Sequence, residues 1–225
     1  MSAKTAALLG ATGMIGSYLL EQLLNDPYFD TVRVIVRRPF INNHPKLEVK
    51  LVDFNDYESL KLAIDGSDVL FCAIGTTQKK VKGDRELYHQ IDFNIPVRAA
   101  GICKETGCKT FVIVSSVGAN IQSSNFYLKL KGEIETVLAQ IGSEGLDAVH
   151  IMQPSMLIGE RKEKRPAEKF FQVTMKAVSF LLAGSLQKYR AIHGKDVAAA
   201  MLTAAKSDKK GIFRYTYNEI IEMAR

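Results

Sequence analysis

Residues 4–16 read Lys4-Thr5-Ala6-Ala7-Leu8-Leu9-Gly10-Ala11-Thr12-Gly13-Met14-Ile15-Gly16. The apolar run Ala6–Leu9 stops at Gly10, and glycines return at Gly13 and Gly16. An apolar helical pattern then runs through Ile15, Leu19, Leu20, Leu23 and Leu24. A strand, a glycine turn and a helix in this order form a receptor for the phosphates of a dinucleotide. Gly10 permits the tight turn, Gly13 lets backbone approach a pyrophosphate, and Gly16 lets the helix pack close to the strand. Met14 and Ile15 open the helix, whose N-terminus offers free N–H groups to an anion, and Thr12 in the turn can add a hydroxyl contact. The spacing G-x-x-G-x-x-G is one residue looser at its start than G-x-G-x-x-G, and the strand-to-helix context is what makes it informative.

Outward from this turn, apolar strand candidates recur at 5–9, 32–36, 49–52, 68–73, 110–114, 147–152 and 189–192. Helical patterns occupy 14–25, 57–64, 84–106, 123–142, 167–183 and 195–206. Alternating strands and helices predict right-handed crossovers and a mostly parallel, doubly wound α/β sheet with helices on both faces. Several strands are continuous apolar runs, as expected when both faces are covered. A chain of 225 residues is long enough for one such domain. We read 1–225 as a single nucleotide-binding unit with a small substrate-side portion from about 155 to 225. The charged stretch Gly159–Arg165 follows the sixth main strand, and reads either as a loop over the ligand crevice or as a solvated surface loop.

Composition narrows the partners. With 47% hydrophobic and 24% charged residues the chain has the make-up of a soluble globular protein. No apolar run approaches the ~18 residues of a membrane span. Phe170–Leu182 comes nearest, interrupted by Gln172, Thr174, Lys176 and Ser179; its stripe is read as core ahead of a dimer face or a membrane-surface helix. The first strand begins almost at once, leaving no room for a signal peptide, so the cytoplasm is expected. Net charge is +6 and the pI about 9.1, but the basic residues are dispersed, which argues against nucleic acid and for an anionic cofactor or substrate. Cys72, Cys103 and Cys108 form no CxxC pair, and His44, His89, His150 and His193 are scattered, so no metal is expected.

The cofactor follows from the second strand. In NAD-binding units an acidic residue about 20 residues past the turn takes the adenosine ribose hydroxyls. Here that place holds Arg37, followed by Arg38. A guanidinium cannot accept from a 2′-hydroxyl but pairs with a 2′-phosphate, so NADP(H) is expected over NAD(H). Arg37 stacked on adenine, or facing solvent, is the alternative. Asp53, beside Phe54 at the end of the third strand, is either an acceptor for the adenine amino group or a turn former.

After the fifth strand come Ser115 and Ser116, then Tyr127-Leu128-Lys129-Leu130-Lys131. Tyr127 and Lys131 are one helical turn apart and share a face, whereas Lys129 points elsewhere. An ammonium beside a phenol favours the phenolate, whose ordinary pKa is ~10, so such a tyrosine can exchange a proton with a substrate oxygen near neutral pH. Ser116 is preferred as the hydroxyl that polarises that oxygen, because Ser115 still belongs to the strand. Ser123 and Ser124 are read as helix caps. Lys79, Lys80 and Lys82 lie where a crevice would open, either drawing in an anionic substrate or forming a solvated loop.

The segment Gly10–Gly16, the Ser115-Ser116 pair, Tyr127-x-x-x-Lys131 and Gln153-Pro154-Ser155-Met156-Leu157-Ile158-Gly159 together resemble the atypical short-chain dehydrogenase/reductase superfamily. Ala73-Ile74-Gly75-Thr76-Thr77, Ser115–Ala119, Ser123–Tyr127 and Lys131-Gly132-Glu133 look like its branch of Tat-interacting oxidoreductase-like proteins. The resemblance implies a Rossmann fold that binds NADP(H), with Ser116, Tyr127 and Lys131 in the catalytic places. It also implies Ala73, Ile74 and Gly75 on the adenosine side and Pro154, Ser155 and Met156 on the nicotinamide side. Larger nucleotide-sugar enzymes of the superfamily carry an extensive C-terminal substrate domain, for which this sequence has little room after Gly159. The expected activity is hydride transfer between nicotinamide and a small carbonyl or alcohol. The alternatives are a non-catalytic NADP(H)-binding sensor that engages a protein partner, and an epimerase or dehydratase. Whether the chain forms a homodimer is left open.

Overall fold

The computed structural model of the chain describes residues 3–77, 79–159 and 184–225. Its centre is β1 (Thr5–Leu9), from which α1 (Met14–Asn25) leads to β2 (Thr31–Val36) and then the edge strand β3 (Leu47–Leu51). The chain crosses back through α2 (Tyr57–Ile64) to β4 (Val69–Cys72), on the other side of β1. It continues through α3 (Arg85–His89), a π-turn (Gln90–Asn94), α4 (Ile95–Thr106), β5 (Thr110–Val114), α5 (Phe126–Gly145) and β6 (Ala148–Met152). Then come β7 (Leu157–Ile158), a 3₁₀ segment (Gly184–Tyr189), β8 (Ile192–His193), α6 (Gly194–Ala205), β9 (Gly211–Tyr215) and α7 (Tyr217–Met223).

The main sheet runs β3-β2-β1-β4-β5-β6-β9, every neighbouring pair parallel. This is the doubly wound Rossmann class that the alternation of elements predicts. Strand period separates two cores. Ala6 and Leu8 face α1 and α6 through Leu19, Leu23, Val197 and Met201. Ala7 and Leu9 face α2, α4 and α5 through Leu60, Ile64, Ile102, Ile134 and Leu138. Because β1 is covered on both sides, its whole run is apolar. The direction of winding reverses between β1 and β4, and a crevice opens there at the carboxyl ends of the strands.

Several elements differ from the sequence reading, and strand β7 and the short helix α7 have no counterpart in it. The stretch 84–106 is interrupted by the π-turn, because Pro96 has no N–H to return to the Asp92 carbonyl. Strand 189–192 is replaced by a two-residue β8 that pairs with β7 outside the main sheet. The seventh strand is instead β9, whose Arg214 interrupts the apolar run that would have marked it. Helix α5 starts at Phe126, and Asn125 rather than Ser123 or Ser124 caps it, its side chain accepting from the Tyr127 and Leu128 amides. The predicted helix 167–183 and most of the charged stretch after Gly159 lie outside the described residues.

Candidate active site

The glycine turn closes as its composition requires. Gly10 has φ +87°, and a Cβ on it would lie 2.6 Å from the Ala73 carbonyl carbon and oxygen. A Cβ on Gly16 would lie 2.0 Å from the Gly10 carbonyl oxygen. Only a bare backbone lets α1 sit this low on the sheet. Gly13 takes the N-cap position of α1 with no side-chain cap, and the first turn of the helix has no acidic residue. The amides there are left to face whatever anion enters.

They face a cleft of about 580 Å³. Thr12, Gly13, Met14, Ile15 and Ser17 line one end, and Ala73, Ile74, Gly75, Thr76 and Thr77 the flank beyond β4. Ser116, Tyr127 and Lys131 line it from β5 and α5, and Pro154, Ser155 and Leu157 from the segment after β6. Of the remaining sequence candidates, Gly10 and Gly16 shape the turn from behind. Arg37 and Arg38 are exposed just past β2, outside the cleft lining. Asp53 is exposed and accepts from the Asn55 amide at 2.9 Å, forming a turn; Phe54 is half-buried against the α2 side of the core. Met156 is 37% exposed and also lies outside the lining.

Helix α5 brings Tyr127 and Lys131 to the cleft on one face. Lys131 is buried while Lys129 is exposed, and the Lys131 Nζ lies 5.8 Å from the centroid of the Tyr127 ring. Gly132 brings this turn against the loop that follows β5: a Cβ there would lie 2.4 Å from Asn120 C and Ile121 N. The two serines divide their work. Ser115 is buried and its hydroxyl donates to Glu135 Oε1 at 2.5 Å. Glu135, one turn beyond Lys131, also accepts from Gln153 Nε2 and from Arg214 Nε, the latter at 2.8 Å. Ser116 is half-buried at the cleft wall, its Oγ reaching the Val117 carbonyl at 3.3 Å.

Sequence reasoning missed Asp92 and Tyr88. Asp92 sits in the π-turn, 1% exposed, with Oδ1 3.1 Å from Lys131 Nζ and Oδ2 accepting from the Thr76 amide at 2.8 Å. Burial pushes its carboxyl upward, and Lys131 and the Thr76 amide pull it back. The signal was present: an acidic residue between Ile91 and Phe93, four before a proline, is a polar group inside an apolar helical pattern. Tyr88 lines the cleft, donates to the Thr76 carbonyl at 3.3 Å and packs edge-on against Phe126. Burial pushes its hydroxyl well up.

Elsewhere, the three cysteines are free and buried, and burial pushes the Cys72 thiol to about 11. Among the described residues no group of three His, Cys, Asp or Glu could hold a metal ion, and no helix is long and apolar enough to cross a membrane.

Comparison with known proteins identifies the family and the fold. A family model described as NAD(P)H-binding matches residues 10–208. The chain is similar to protein HTATIP2 of Rattus norvegicus, with 34% identity over 178 residues, covering 76% of this chain and 72% of the relative. It is also similar to the protein FMP52, mitochondrial, of Candida albicans, with 37% identity over 162 residues, covering 69% of this chain and 68% of the relative. Among solved structures, MoeE5 in complex with UDP-glucose and NAD matches with a TM-score of 0.72 at 17% identity, covering 99% of this chain and 81% of that one. A UDP-N-acetylglucosamine 4-epimerase from Methanobrevibacter ruminantium matches with a TM-score of 0.70 at 19% identity, covering 99% of this chain and 81% of that one. At such identities the likeness is one of fold.

Proposed function

The chain belongs to the NAD(P)H-binding family, as an atypical short-chain dehydrogenase/reductase, and from that premise we propose that it is an NADP(H)-dependent oxidoreductase acting on a small carbonyl or alcohol. The observation that carries the reading is Tyr127, one helical turn from the buried Lys131, in the same cleft as Ser116 and the N-terminus of α1. We take residues 1–225 as one nucleotide-binding unit whose part from about 155 onward serves the substrate.

The residues suit such a cofactor. The close backbone approach at Gly10 and Gly16 and the uncapped start of α1 form a cradle for a pyrophosphate, with Thr12, Gly13, Met14 and Ile15 around it. Arg37 and Arg38 are solvent-facing cations suited to a 2′-phosphate, with Asp53 and Phe54 beside the adenine. Ala73, Ile74 and Gly75 flank the adenosine half, Pro154, Ser155 and Met156 the nicotinamide half, and Lys131 reaches the nicotinamide ribose. When bound, the cofactor supplies or accepts a hydride at the carbon of the substrate.

The side chains handle the proton. The Ser116 hydroxyl donates to the substrate oxygen and polarises the carbonyl. The Tyr127 hydroxyl gives its proton to that oxygen as the carbon gains the hydride, leaving an alcohol and a phenolate. Lys131 stabilises the phenolate until solvent reprotonates it, and the oxidative direction runs in reverse. Titration with NADPH and NADH, comparing wild type with Arg37→Glu, tests the cofactor. A preference for NADPH that collapses in the variant is expected, and no binding of either nucleotide would sink the proposal. A carbonyl screen with Tyr127→Phe as the inactive control tests the chemistry. Nucleotide binding without turnover of any carbonyl would favour a sensor that engages a protein partner.

A further inference from the structure

Resting on Tyr127 as the proton donor, we infer that Asp92 is a positioning residue that holds Lys131 in place and offsets its charge, thereby setting the pH at which Tyr127 exchanges its proton. The geometry is a relay of three elements. One Asp92 oxygen lies 3.1 Å from Lys131 Nζ on α5, and the other accepts from the Thr76 amide in the loop after β4. The Asp92 and Lys131 side chains are 1% and 6% exposed, so each charge acts through a medium that screens poorly.

A bare ammonium 5.8 Å from the Tyr127 ring centroid would pull strongly toward the phenolate. Paired with a carboxylate, the ammonium acts on the phenol as a dipole, and the phenol keeps its proton to higher pH. The π-turn matters here because Pro96 breaks the helical ladder at the carbonyl of Asp92 itself.

Among the described residues, the other titratable groups facing the pair are Tyr88 from α3, Cys72 from β4, Lys80 from the loop after β4, and Glu135 one turn along α5. Burial holds the Tyr88 hydroxyl and the Cys72 thiol in their neutral forms through the neutral range. Glu135 already faces Arg214. Lys131 lines the cleft between Asp92 and the Tyr127 ring, within reach of both.

The test is the ultraviolet tyrosinate titration of the unliganded protein, each variant read against the same variant carrying Tyr127→Phe, which isolates the Tyr127 midpoint. Asp92→Asn keeps the shape and removes the charge, and the midpoint is expected to fall by roughly one pH unit. Asp92→Glu is expected to restore it. An unchanged or raised midpoint in Asp92→Asn would overturn the inference.

If Asp92→Asn does not fold, Lys131→Met is compared with Lys131→Met/Asp92→Asn, which removes both buried charges together. A higher midpoint in Lys131→Met than in the double variant shows that Tyr127 feels the Asp92 charge, and equal midpoints refute it. The titration needs neither cofactor nor substrate, so absence of turnover would count against the oxidoreductase reading and leave this result standing.

Discussion

Gly16 and Gly10 touch through backbone alone: the place where a Gly16 side chain would begin lies 2.0 Å from the carbonyl oxygen of Gly10. A methyl group cannot occupy that position without lifting the first turn of α1 off the end of β1. The amides of that turn are the same ones that line the cleft. Gly16→Ala is therefore expected to cost about 1–3 kcal/mol of stability as an overpacked contact. It should also weaken NADPH binding about tenfold or more by moving the donors. Denaturant unfolding and nucleotide titration on the same preparation check both. A variant that keeps its full affinity would show that α1 can move without cost to the cradle.

A second close approach lies farther from the glycine turn. A Cβ on Gly132 would fall 2.4 Å from the backbone of Asn120 and Ile121. Gly132→Ala must push α5 away from the loop after β5, and Tyr127 and Lys131 ride on that helix. We expect kcat to fall about tenfold or more, with a smaller loss of NADPH affinity through Lys131, because displacement of a reacting group by a fraction of an ångström is felt mainly in the chemical step. Steady-state kinetics on a carbonyl found in the screen, beside nucleotide titration, separates the two quantities.

The parts of this fold that were legible in sequence are those where one physical demand dominates. Glycines where no Cβ can stand, continuous apolar strands buried on both faces, and an i, i+4 pair on an amphipathic helix each leave a local trace. What was not legible depended on partners distant in sequence. Strand β9 carries Arg214, which reads as a surface residue until Glu135 is placed opposite it. Asp92 is visible in sequence as a carboxylate inside an apolar helical pattern, but its partner Lys131 lies on another helix and is identified only when the two are folded together. Two-residue strands such as β7 and β8 have no periodicity to detect and exist through their mutual register. Arg37 was legible as a cation after β2, but its ligand is a question for titration.

The adjacent serines are expected to separate stability from catalysis. Ser115→Ala removes the donor at 2.5 Å from a buried carboxylate that also serves Gln153 and Arg214. Leaving Glu135 short of one partner should cost about 1–3 kcal/mol, with kcat reduced only modestly. Ser116→Ala loses a long contact to the Val117 carbonyl and should unfold like wild type. If its hydroxyl polarises the substrate oxygen, kcat falls about 100-fold. The reverse pattern, with Ser115→Ala inactive and stable, would exchange the two roles.

His150 ties stability to pH far from the cleft. It lies fully buried on β6, opposite Phe213 of β9 in register, with its ring stacked on both Phe213 and Tyr215. Its Nδ1 is 3.0 Å from the Tyr215 hydroxyl, and among the described residues its buried Nε2 has no partner. Burial, helped by the nearby Lys209, lowers its pKa from 6.5 to about 4. Between those values the unfolded chain binds a proton that the folded chain refuses, so stability is greatest above pH 6.5 and declines as the pH falls toward 4. The decline from this group reaches about 3 kcal/mol at the acid end of the window. His150→Phe keeps the stacked ring and cannot titrate. Urea unfolding should find the wild type losing stability relative to His150→Phe as the pH is lowered through that window. Parallel curves would mean that the imidazole charges in place, with water reaching Nε2 between β6 and β9.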